Sequence, residues 1–370
     1  MADRKHDDGW AGLLPSASPV RFLTDSGTPV RGRPAYREPA PELLRAAYRA
    51  MVLGRRFDTQ ATALTKQGRL AVYPSSHGQE ACQVGAVLAL DESDWLFPTY
   101  RESVALVTRG IDPVEILALL RGDAHCGYDP RRHHVAPQCT PLATQTLHAA
   151  GLAYAERRTG SGRIALAFAG DGATSEGDFH EALNFAAVFK APVVFLVQNN
   201  GYAISVPLSR QSTAPALAYK GIGYGVRAEQ VDGNDPVAVL AVLAEAAAHA
   251  RAGNGPFLLE AHTYRMAAHT NADDATRYRS DAEVDRWRRR DPIARLEAYL
   301  RRRGQLTDED VAAVAAEAEE YAARLRAAIN TDPELAPLGL FDHVFGAPTP
   351  QLREQHALLR AELQAEEVPA

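Results

Sequence analysis

Short apolar runs and amphipathic stretches alternate along the middle of the chain. Three runs are almost wholly apolar, as strands buried on both faces of a parallel sheet are: "GRIALAFAG" (162–170), "APVVFLVQNN" (191–200) and "PFLLEAHTY" (256–264). Between them, "DFHEALNFAAVFK" (178–190) and "DPVAVLAVLAEAAAHARAG" (235–253) have the spacing of amphipathic helices. This order predicts the α/β class, with a central parallel sheet, helices on both faces and right-handed connections.

The residues before this region carry a helical pattern. Apolar residues recur at helical spacing from about residue 42 until Gly68, which is placed to end the helix: Leu43, Leu44, Ala47, Met51 and Leu53. Another helix is predicted over 78–90. The stretch "DWLFPTYRES" (94–103) has the character of a strand that runs into a loop.

These patterns divide the chain into three parts. Residues 1–40 are polar and interrupted by prolines, which predicts a flexible N-terminal arm. Residues 41–280 hold the apolar strands and are predicted to form the α/β domain. Residues 281–370 are charged and mostly helical in pattern, and we expect this C-terminal extension to serve packing and subunit assembly.

The composition argues against several functional classes. The 370 residues are 46% hydrophobic, enough for a large core, and the net charge of -6 gives no reason to expect a nucleic acid partner. The cysteines Cys82, Cys126 and Cys139 show no CxxC spacing, which argues against a disulfide framework or a zinc site. The first residues lack the apolar segment of a secretory signal, and no run of about 18 apolar residues predicts a membrane span. A cytoplasmic location is therefore expected.

A carboxylate follows the first predicted strand, within the glycine-rich turn of "AFAGDGATSEGD" (167–178). Asp171 lies directly after this strand, and Asn199 and Asn200 end the next one. Because the carboxyl ends of parallel strands meet at one edge of a sheet, we expect these side chains to lie together. A carboxylate repels a phosphate bound to such a turn unless a divalent cation lies between them. Mg²⁺, which takes protein oxygens and phosphate oxygens together, meets this requirement.

Other glycine motifs do not match this turn. A Rossmann fingerprint requires glycine at 175, where Ser175 stands, and no lysine lies near enough for a Walker loop. An EF-hand beginning at Asp171 requires glycine at 176 and glutamate at 182, but the chain has Glu176 and Ala182. In the plain structural alternative, Asp171 caps a turn and the asparagines end a strand. That alternative explains each motif alone, and the union of the two motifs across one strand–helix–strand unit favours the metal site over it.

With "GDG" followed after 26 residues by "NN", the sequence resembles the thiamine diphosphate binding motif. The surrounding residues resemble the E1 α subunit of the 2-oxo acid dehydrogenase complexes, from about residue 42 to beyond residue 350. Separate stretches carry the resemblance: "FPTYRES", "TPLATQ", "YGVRAEQVDGND", "FLLEAHTYRMAAHTNADDATRYR" and "LGLFDHVFGAPTPQLREQHALL". It implies the thiamine diphosphate-binding fold, with Mg²⁺ as the second cofactor.

The resemblance implies a set of binding residues. Mg²⁺ would be held by the side chains of Asp171 and Asn200 and by the carbonyl of Tyr202. The cofactor would contact Tyr100, Arg101, Thr140, Leu142, Gly170, Asp171, Gly172, Ala173, Asn200, Tyr202, Arg265 and His269. Two arginines suit a phosphate because a guanidinium fork matches its oxygens.

A catalytic histidine and a potassium site are implied as well. His269 matches a histidine on a loop over the thiazolium, where it would act in acyl transfer, and its polar surroundings argue against a core histidine. A K⁺ ion would be held by oxygens of Thr140, Pro141, Thr144 and Gln145. A helix N-cap at Thr140, with Pro141 in the first turn, accounts for the same residues and is compatible with that site.

The chain departs from the family pattern at Gln198 and Thr270 and matches it at Ser280. Gln198 stands where branched-chain members often carry an arginine, so one phosphate contact is expected to be absent. Thr270 and Ser280 lie where animal homologues carry phosphorylated serines. A phosphate at Thr270 would repel the anionic cofactor, which makes this residue a hypothetical switch.

The implied reaction is the oxidative decarboxylation of a 2-oxo acid, with reductive acylation of the lipoyl group of an E2 acyltransferase. In this family an E1 β subunit carries the domain that binds the pyrimidine. We therefore expect an α2β2 heterotetramer and an α chain that is inactive alone. The stretches "CTPLATQ" and "HTNADDATRYR" favour branched-chain 2-oxo acids, with pyruvate and acetoin as alternatives.

Two other classes of function stay open at this point. A cofactor-binding scaffold without catalysis is one, although the presence of Asp171, Asn200, Arg265 and His269 argues against it. An enzyme acting on a magnesium nucleotide is the other, and no adenine-site motif supports it.

Overall fold

A computed structural model of the chain describes residues 8–32, 34–122, 126–330 and 336–366. The chain divides into two compact units, Met1–Arg326 and Ala327–Ala370. The α-helices are α1 (Pro41–Lys66), α2 (Glu80–Leu88), α3 (Ser103–Thr108), α4 (Pro113–Arg121), α5 (Pro130–His133), α6 (Thr144–Thr159), α7 (Gly177–Val188), α8 (Pro236–Arg251), α9 (Asp281–Arg288), α10 (Pro292–Arg302), α11 (Asp308–Ile329) and α12 (Pro350–Glu366). The strands are β1 (Trp95–Phe97), β2 (Ala165–Gly170), β3 (Val193–Asn199), β4 (Tyr202–Ala203), β5 (Val206–Pro207), β6 (Arg227–Asp232) and β7 (Phe257–His262).

Five parallel strands form the central sheet, in the order β1-β2-β3-β7-β6. Every residue of β3, the middle strand, is buried. One face of the sheet packs on α6 and α7, where Phe179 and Leu183 are fully buried. The other face packs on α8, whose Val237 and Leu240 meet α1, α2 and α10. The predicted α/β class, with helices on both faces of a parallel sheet, is confirmed.

The predicted elements of the sheet region occur within a few residues of their expected bounds. The three apolar runs are β2, β3 and β7, and the two amphipathic stretches between them are α7 and α8. The first predicted helix is α1, and Gly68 follows it with a φ of 72°. Strand β6 was not predicted, because the sequence "RAEQVD" mixes polar and apolar residues without a clear period. Its polar side chains are satisfied by tertiary partners, among them Arg295, which donates to Asp232.

The N-terminal segment is bonded to the edge of the sheet. The N–H of Val20 donates to the carbonyl of Gln230 in β6, over 2.8 Å. The N–H groups of Phe22 and Leu23 both donate to Asp235 Oδ2, over 2.7 and 2.6 Å, and Leu23 is fully buried. Residues 1–7 and 33 of the predicted arm lie outside the described residues. The division into arm, domain and extension stays a prediction.

Among the described residues, no helix has the length and apolar character needed to cross a membrane.

Candidate cofactor and metal site

Asp171 and Asn200 follow the carboxyl ends of two neighbouring strands. Asp171 comes after Gly170, the last residue of β2, and Asn200 comes after the last residue of β3. In the parallel register Gly170 pairs with Gln198, so the two chain segments leave the sheet side by side. The backbone N–H of Asn200 is close enough to the Asp171 carboxylate to lower its pKa. The expectation that the two residues lie together is met.

A cavity of about 450 Å³ opens at this edge of the sheet. All the residues expected to contact the cofactor line it: Tyr100, Arg101, Thr140, Leu142, Gly170, Asp171, Gly172, Ala173, Asn200, Tyr202, Arg265 and His269. Their sequence positions span 170 residues, from Tyr100 to His269. The fold therefore assembles this set from strand ends and loops that are far apart in the sequence.

The Asp171 carboxylate is buried, with 1% of the residue exposed. It accepts a hydrogen bond of 2.8 Å from Nε2 of Gln211. Burial raises the pKa of Asp171 above its ordinary value, while the Gln211 bond and the charge of Arg265 act in the opposite direction. In the described part of the chain no cationic side chain lies within salt-bridge distance of it. A buried carboxylate without a cation in direct contact is a site where a metal ion would lower the free energy.

The donor set around Asp171 suits Mg²⁺ better than a transition metal. In the described residues no three His, Cys, Asp or Glu side chains come together as a metal site. What the cavity offers is one carboxylate, the amide of Asn200 and the backbone at Tyr202. Mg²⁺ is commonly held by one or two protein groups, with phosphate oxygens and water completing its octahedron. The residues present therefore fit the expected group.

The turn after β2 brings two segments of backbone close together. Residues Gly172–Ser175 form a 3-10 turn that leads into α7. A Cβ added to Gly172 would lie 2.7 Å from the Cβ of Ala203, which is too short for two carbon atoms. Glycine is thus required here by the approach of β4, whose Tyr202 also lines the cavity.

Two arginines converge on one histidine at the wall of the cavity. Nη2 of Arg101 and Nη1 of Arg265 each lie 3.1 Å from Nδ1 of His269. Burial, then the charges of Arg101 and Arg265, lower the pKa of His269 to about 4. The ring is neutral at physiological pH, and because Nδ1 accepts from the arginines, Nε2 carries the proton. Nε of Arg265 is buried without a hydrogen-bond partner, a free donor beside the cavity.

The residues expected around K⁺ lie next to this cavity. Thr140 lines it, Thr144 donates to Asp178 over 3.2 Å, and the carbonyl of Pro141 accepts from the thiol of Cys139 over 3.3 Å. Gln145 donates to the carbonyl of Phe168, while its own buried Oε1 has no partner. The alternative of a helix N-cap at Thr140 is wrong, because α6 begins at Thr144 after Ala143, whose φ is 66°.

Several polar residues at the site were not found from the sequence. Gln79 and Glu102 line the cavity, and Gln211 holds Asp171. None of them lies in a motif with a chemical requirement of its own, so no pattern pointed to them. Of the two hypothetical phosphorylation positions, Thr270 lines the cavity, and Ser280 caps α9 by accepting from the N–H of Glu283.

A family model and several known proteins match most of the chain. A family model described as "Dehydrogenase E1 component" matches residues 48–337. The chain is 48% identical over 355 residues to the 3-methyl-2-oxobutanoate dehydrogenase subunit alpha of Mycobacterium tuberculosis, covering 95% of this chain and 97% of that one. It is 37% identical to the pyruvate dehydrogenase E1 component subunit alpha of Acholeplasma laidlawii, over 85% of this chain and 92% of the relative. For the corresponding subunit of Staphylococcus aureus the identity is 36%, over 84% of each chain.

Proposed function

The chain belongs to the dehydrogenase E1 component family, and from this premise we propose that it is the α subunit of a branched-chain 2-oxo acid dehydrogenase. It catalyses, together with a β subunit, the oxidative decarboxylation of a branched-chain 2-oxo acid. The acyl group passes to the lipoyl group of an E2 acyltransferase. The single observation that carries this proposal is the cavity in which Asp171, Asn200, Arg101, Arg265 and His269 meet.

Thiamine diphosphate and Mg²⁺ are the cofactors that this cavity fits. Asp171, the side-chain oxygen of Asn200 and the carbonyl of Tyr202 hold the metal ion. Arg101 and Arg265 neutralise the diphosphate, and the free Nε donor of Arg265 is available for one of its oxygens. The remaining contacts come from Tyr100, Thr140, Leu142, Gly170, Gly172 and Ala173. When bound, thiamine diphosphate supplies the electron sink that decarboxylation of a 2-oxo acid requires.

His269 is the residue proposed for proton transfer. Its neutral imidazole carries a proton on Nε2, which it can donate, and the two arginines fix the orientation of the ring. The T-shaped contact with Tyr100, whose ring centre lies 6.0 Å away, restricts the ring further. This arrangement suits proton movement during acyl transfer to the lipoyl group. If the chain were a scaffold without catalysis, H269A would leave lipoyl acylation intact.

A second cation site for K⁺ is proposed beside α6. The buried, unpartnered Oε1 of Gln145 supports it, because a buried oxygen without a donor is costly unless a cation or water meets it. Thr140, Pro141 and Thr144 supply the other oxygens.

The substrate class rests on the 48% identity to the 3-methyl-2-oxobutanoate dehydrogenase subunit, against 36–37% to the pyruvate dehydrogenase subunits. The decisive experiment is steady-state kinetics of the co-purified α/β pair on 3-methyl-2-oxobutanoate and on pyruvate. We expect the larger kcat/KM for the branched-chain acid, no turnover by the α chain alone, and an α2β2 mass. A larger kcat/KM for pyruvate would replace the substrate assignment by pyruvate dehydrogenase, and activity of the isolated α chain would contradict the two-subunit assignment.

A further inference from the structure

A continuous chain of buried side-chain hydrogen bonds runs from Glu102 to Asn200. Nε2 of Gln198 donates to Oε1 of Glu102 over 2.7 Å, and Nε2 of Gln79 donates to Oε1 of Gln198 over 3.3 Å. Nδ2 of Asn200 in turn donates to Oε1 of Gln79 over 3.1 Å. Glu102, Gln79 and Gln198 are at most 2% exposed, and Asn200 is 7% exposed. Water therefore has little access to compete for these bonds.

Two backbone N–H groups bound this series of hydrogen bonds, that of Thr99 at the Glu102 end and that of Tyr202 at the Asn200 end. A side-chain amide has a donor end and an acceptor end, so its partners decide which way it points. Oε2 of Glu102 accepts from the backbone N–H of Thr99 over 2.6 Å and also from the Thr99 hydroxyl. The backbone N–H cannot reverse its role. Burial raises the pKa of Glu102, while the bonds from Thr99 and Gln198 and the charge of Arg101 act in the opposite direction. With Oε2 occupied, the charged carboxylate offers Oε1 as an acceptor only, and each following amide turns its NH₂ group toward Glu102.

The last member of the chain is the residue assigned to the metal ion. Because Nδ2 of Asn200 is committed to Gln79, its Oδ1 remains on the other side, where it accepts from the N–H of Tyr202 over 3.2 Å. Only the oxygen of an amide binds Mg²⁺, since the NH₂ group has no free electron pair for a hard cation. We propose that Glu102 is a positioning residue which, through Gln198 and Gln79, holds the oxygen of Asn200 toward the cation site. This inference rests on the proposed function.

The isosteric variant E102Q tests the direction of the chain. Its carbonyl oxygen must face the N–H of Thr99, so its NH₂ group faces Gln198 and two donors meet. Reversal of the two glutamines moves that clash along the series without removing it, and reversal of Asn200 as well turns its Nδ2 toward the N–H of Tyr202 and toward the cation. Every arrangement of E102Q therefore keeps one pair of facing donors, and the last of them withdraws the oxygen of Asn200 from the cation site. We expect the dissociation constant of Mn²⁺ to rise by roughly 10–100-fold, the range for loss of a group that orients a metal ligand. Free Mn²⁺ is measured by electron paramagnetic resonance, with the α/β pair and thiamine diphosphate present.

The double variant E102Q/Q198E restores a carboxylate acceptor at the next member of the hydrogen-bonded series, position 198. The carboxylate introduced at position 198 accepts from the NH₂ group introduced at position 102 and from Gln79. Asn200 therefore returns to its original orientation, and Mn²⁺ affinity recovers to that of the unmodified protein. The matched control is E92Q, which removes the same charge from an exposed residue and is expected to bind Mn²⁺ normally. A merely structural role of Glu102 predicts no recovery in the double variant.

The outcomes separate the inference from the proposed function. Normal Mn²⁺ binding by E102Q, or binding by a folded double variant that stays weak, would overturn the inference alone. If E102Q does not fold, the Mn²⁺ affinity of the double variant tests the inference: an affinity equal to that of the unmodified protein supports it, and a weaker one overturns it. Absence of Mn²⁺ uptake by the unmodified α/β pair with thiamine diphosphate would overturn the proposed function and the inference with it.

Discussion

Nη1 of Arg265 lies 3.1 Å from Nδ1 of His269, four residues along the same loop. Arg265 is 2% exposed, and burial is the first cause that lowers its pKa, followed by the charge of Arg101. Two buried guanidinium groups repel each other unless an anion joins them. His269 accepts from both guanidinium groups, which keeps the cationic pair together for the phosphate of the proposed cofactor.

The pH dependence of stability follows from the low pKa of His269. An unfolded chain binds a proton at this histidine below about pH 6.5, but the folded protein does so only near pH 4. Stability is therefore lost as the pH falls through this window, because the unfolded state binds the extra proton. In H269N this loss is absent, so its unfolding free energy falls less steeply between pH 6.5 and 4.

Urea unfolding of the α/β pair at several pH values within this window measures the difference. H148N, which replaces an exposed histidine of α6, is the control and should follow the unmodified protein. Parallel curves for H269N and the unmodified protein would show that His269 is not the group that resists protonation.

Arg265 is expected to contribute to cofactor affinity through its charge. R265Q should raise the dissociation constant of thiamine diphosphate by roughly 10–100-fold, since a charged hydrogen bond contributes about 1.5–3 kcal/mol. The pKa of His269 should rise in the same variant, because one of the two cations that lower it is gone. Calorimetric titration measures the first effect and NMR of the histidine the second. R227Q, which removes an arginine of β6 that pairs with Glu245 of α8, should change neither.

Asp171 is expected to be needed for binding of the metal ion and not for the stability of the protein without ligands. Burial raises the pKa of Asp171, which means that its charged carboxylate destabilises the protein when no ligand is bound. D171N removes this cost, and the gain offsets the weaker hydrogen bonds that the amide makes. We predict that D171N unfolds near the same temperature as the unmodified protein without ligands. With Mg²⁺ and thiamine diphosphate at about 100 times the dissociation constant, the unmodified protein gains about 2.7 kcal/mol and D171N gains almost nothing. An equal thermal shift in both, or one that survives chelation, would exclude a metal bridge at Asp171.

The sequence predicted the parts of the site that obey a positional rule. Asp171 and Asn200 were found because residues after parallel strands share an edge, and the sheet was found because its inner strands are apolar throughout. Glu102 and Gln198 were not found as a pair, because their contact joins residues 96 positions apart and neither type is specific to one chemistry. Strand β6 was missed for a related reason, since tertiary bonds satisfy its polar residues. Hydrogen bonds between residues far apart in the sequence produce no periodic pattern from which they could be predicted.

Gly172 is expected to be replaceable only at a cost to both stability and cofactor binding. In G172A the new Cβ meets the Cβ of Ala203 at 2.7 Å, and neither backbone segment is free to yield because β4 pairs with β5. Relief of the clash must move Tyr202 or Asp171, the two residues on either side that are assigned to the metal. We predict a loss of about 1–3 kcal/mol in unfolding free energy, typical of overpacking, with weaker Mg²⁺-dependent binding of thiamine diphosphate.

The matched control for this variant lies five residues further along the sequence. Gly177 begins α7, and a Cβ added there meets no atom within 4 Å. G177A should therefore keep full cofactor affinity and gain slightly in stability, since alanine is the better helix former. If the two variants behaved alike in thermal unfolding and in calorimetric titration of thiamine diphosphate, the contact between Gly172 and Ala203 would not govern the site. A loss confined to G172A places the constraint at the approach of β4 to the turn, where the proposed metal ligands of both segments meet.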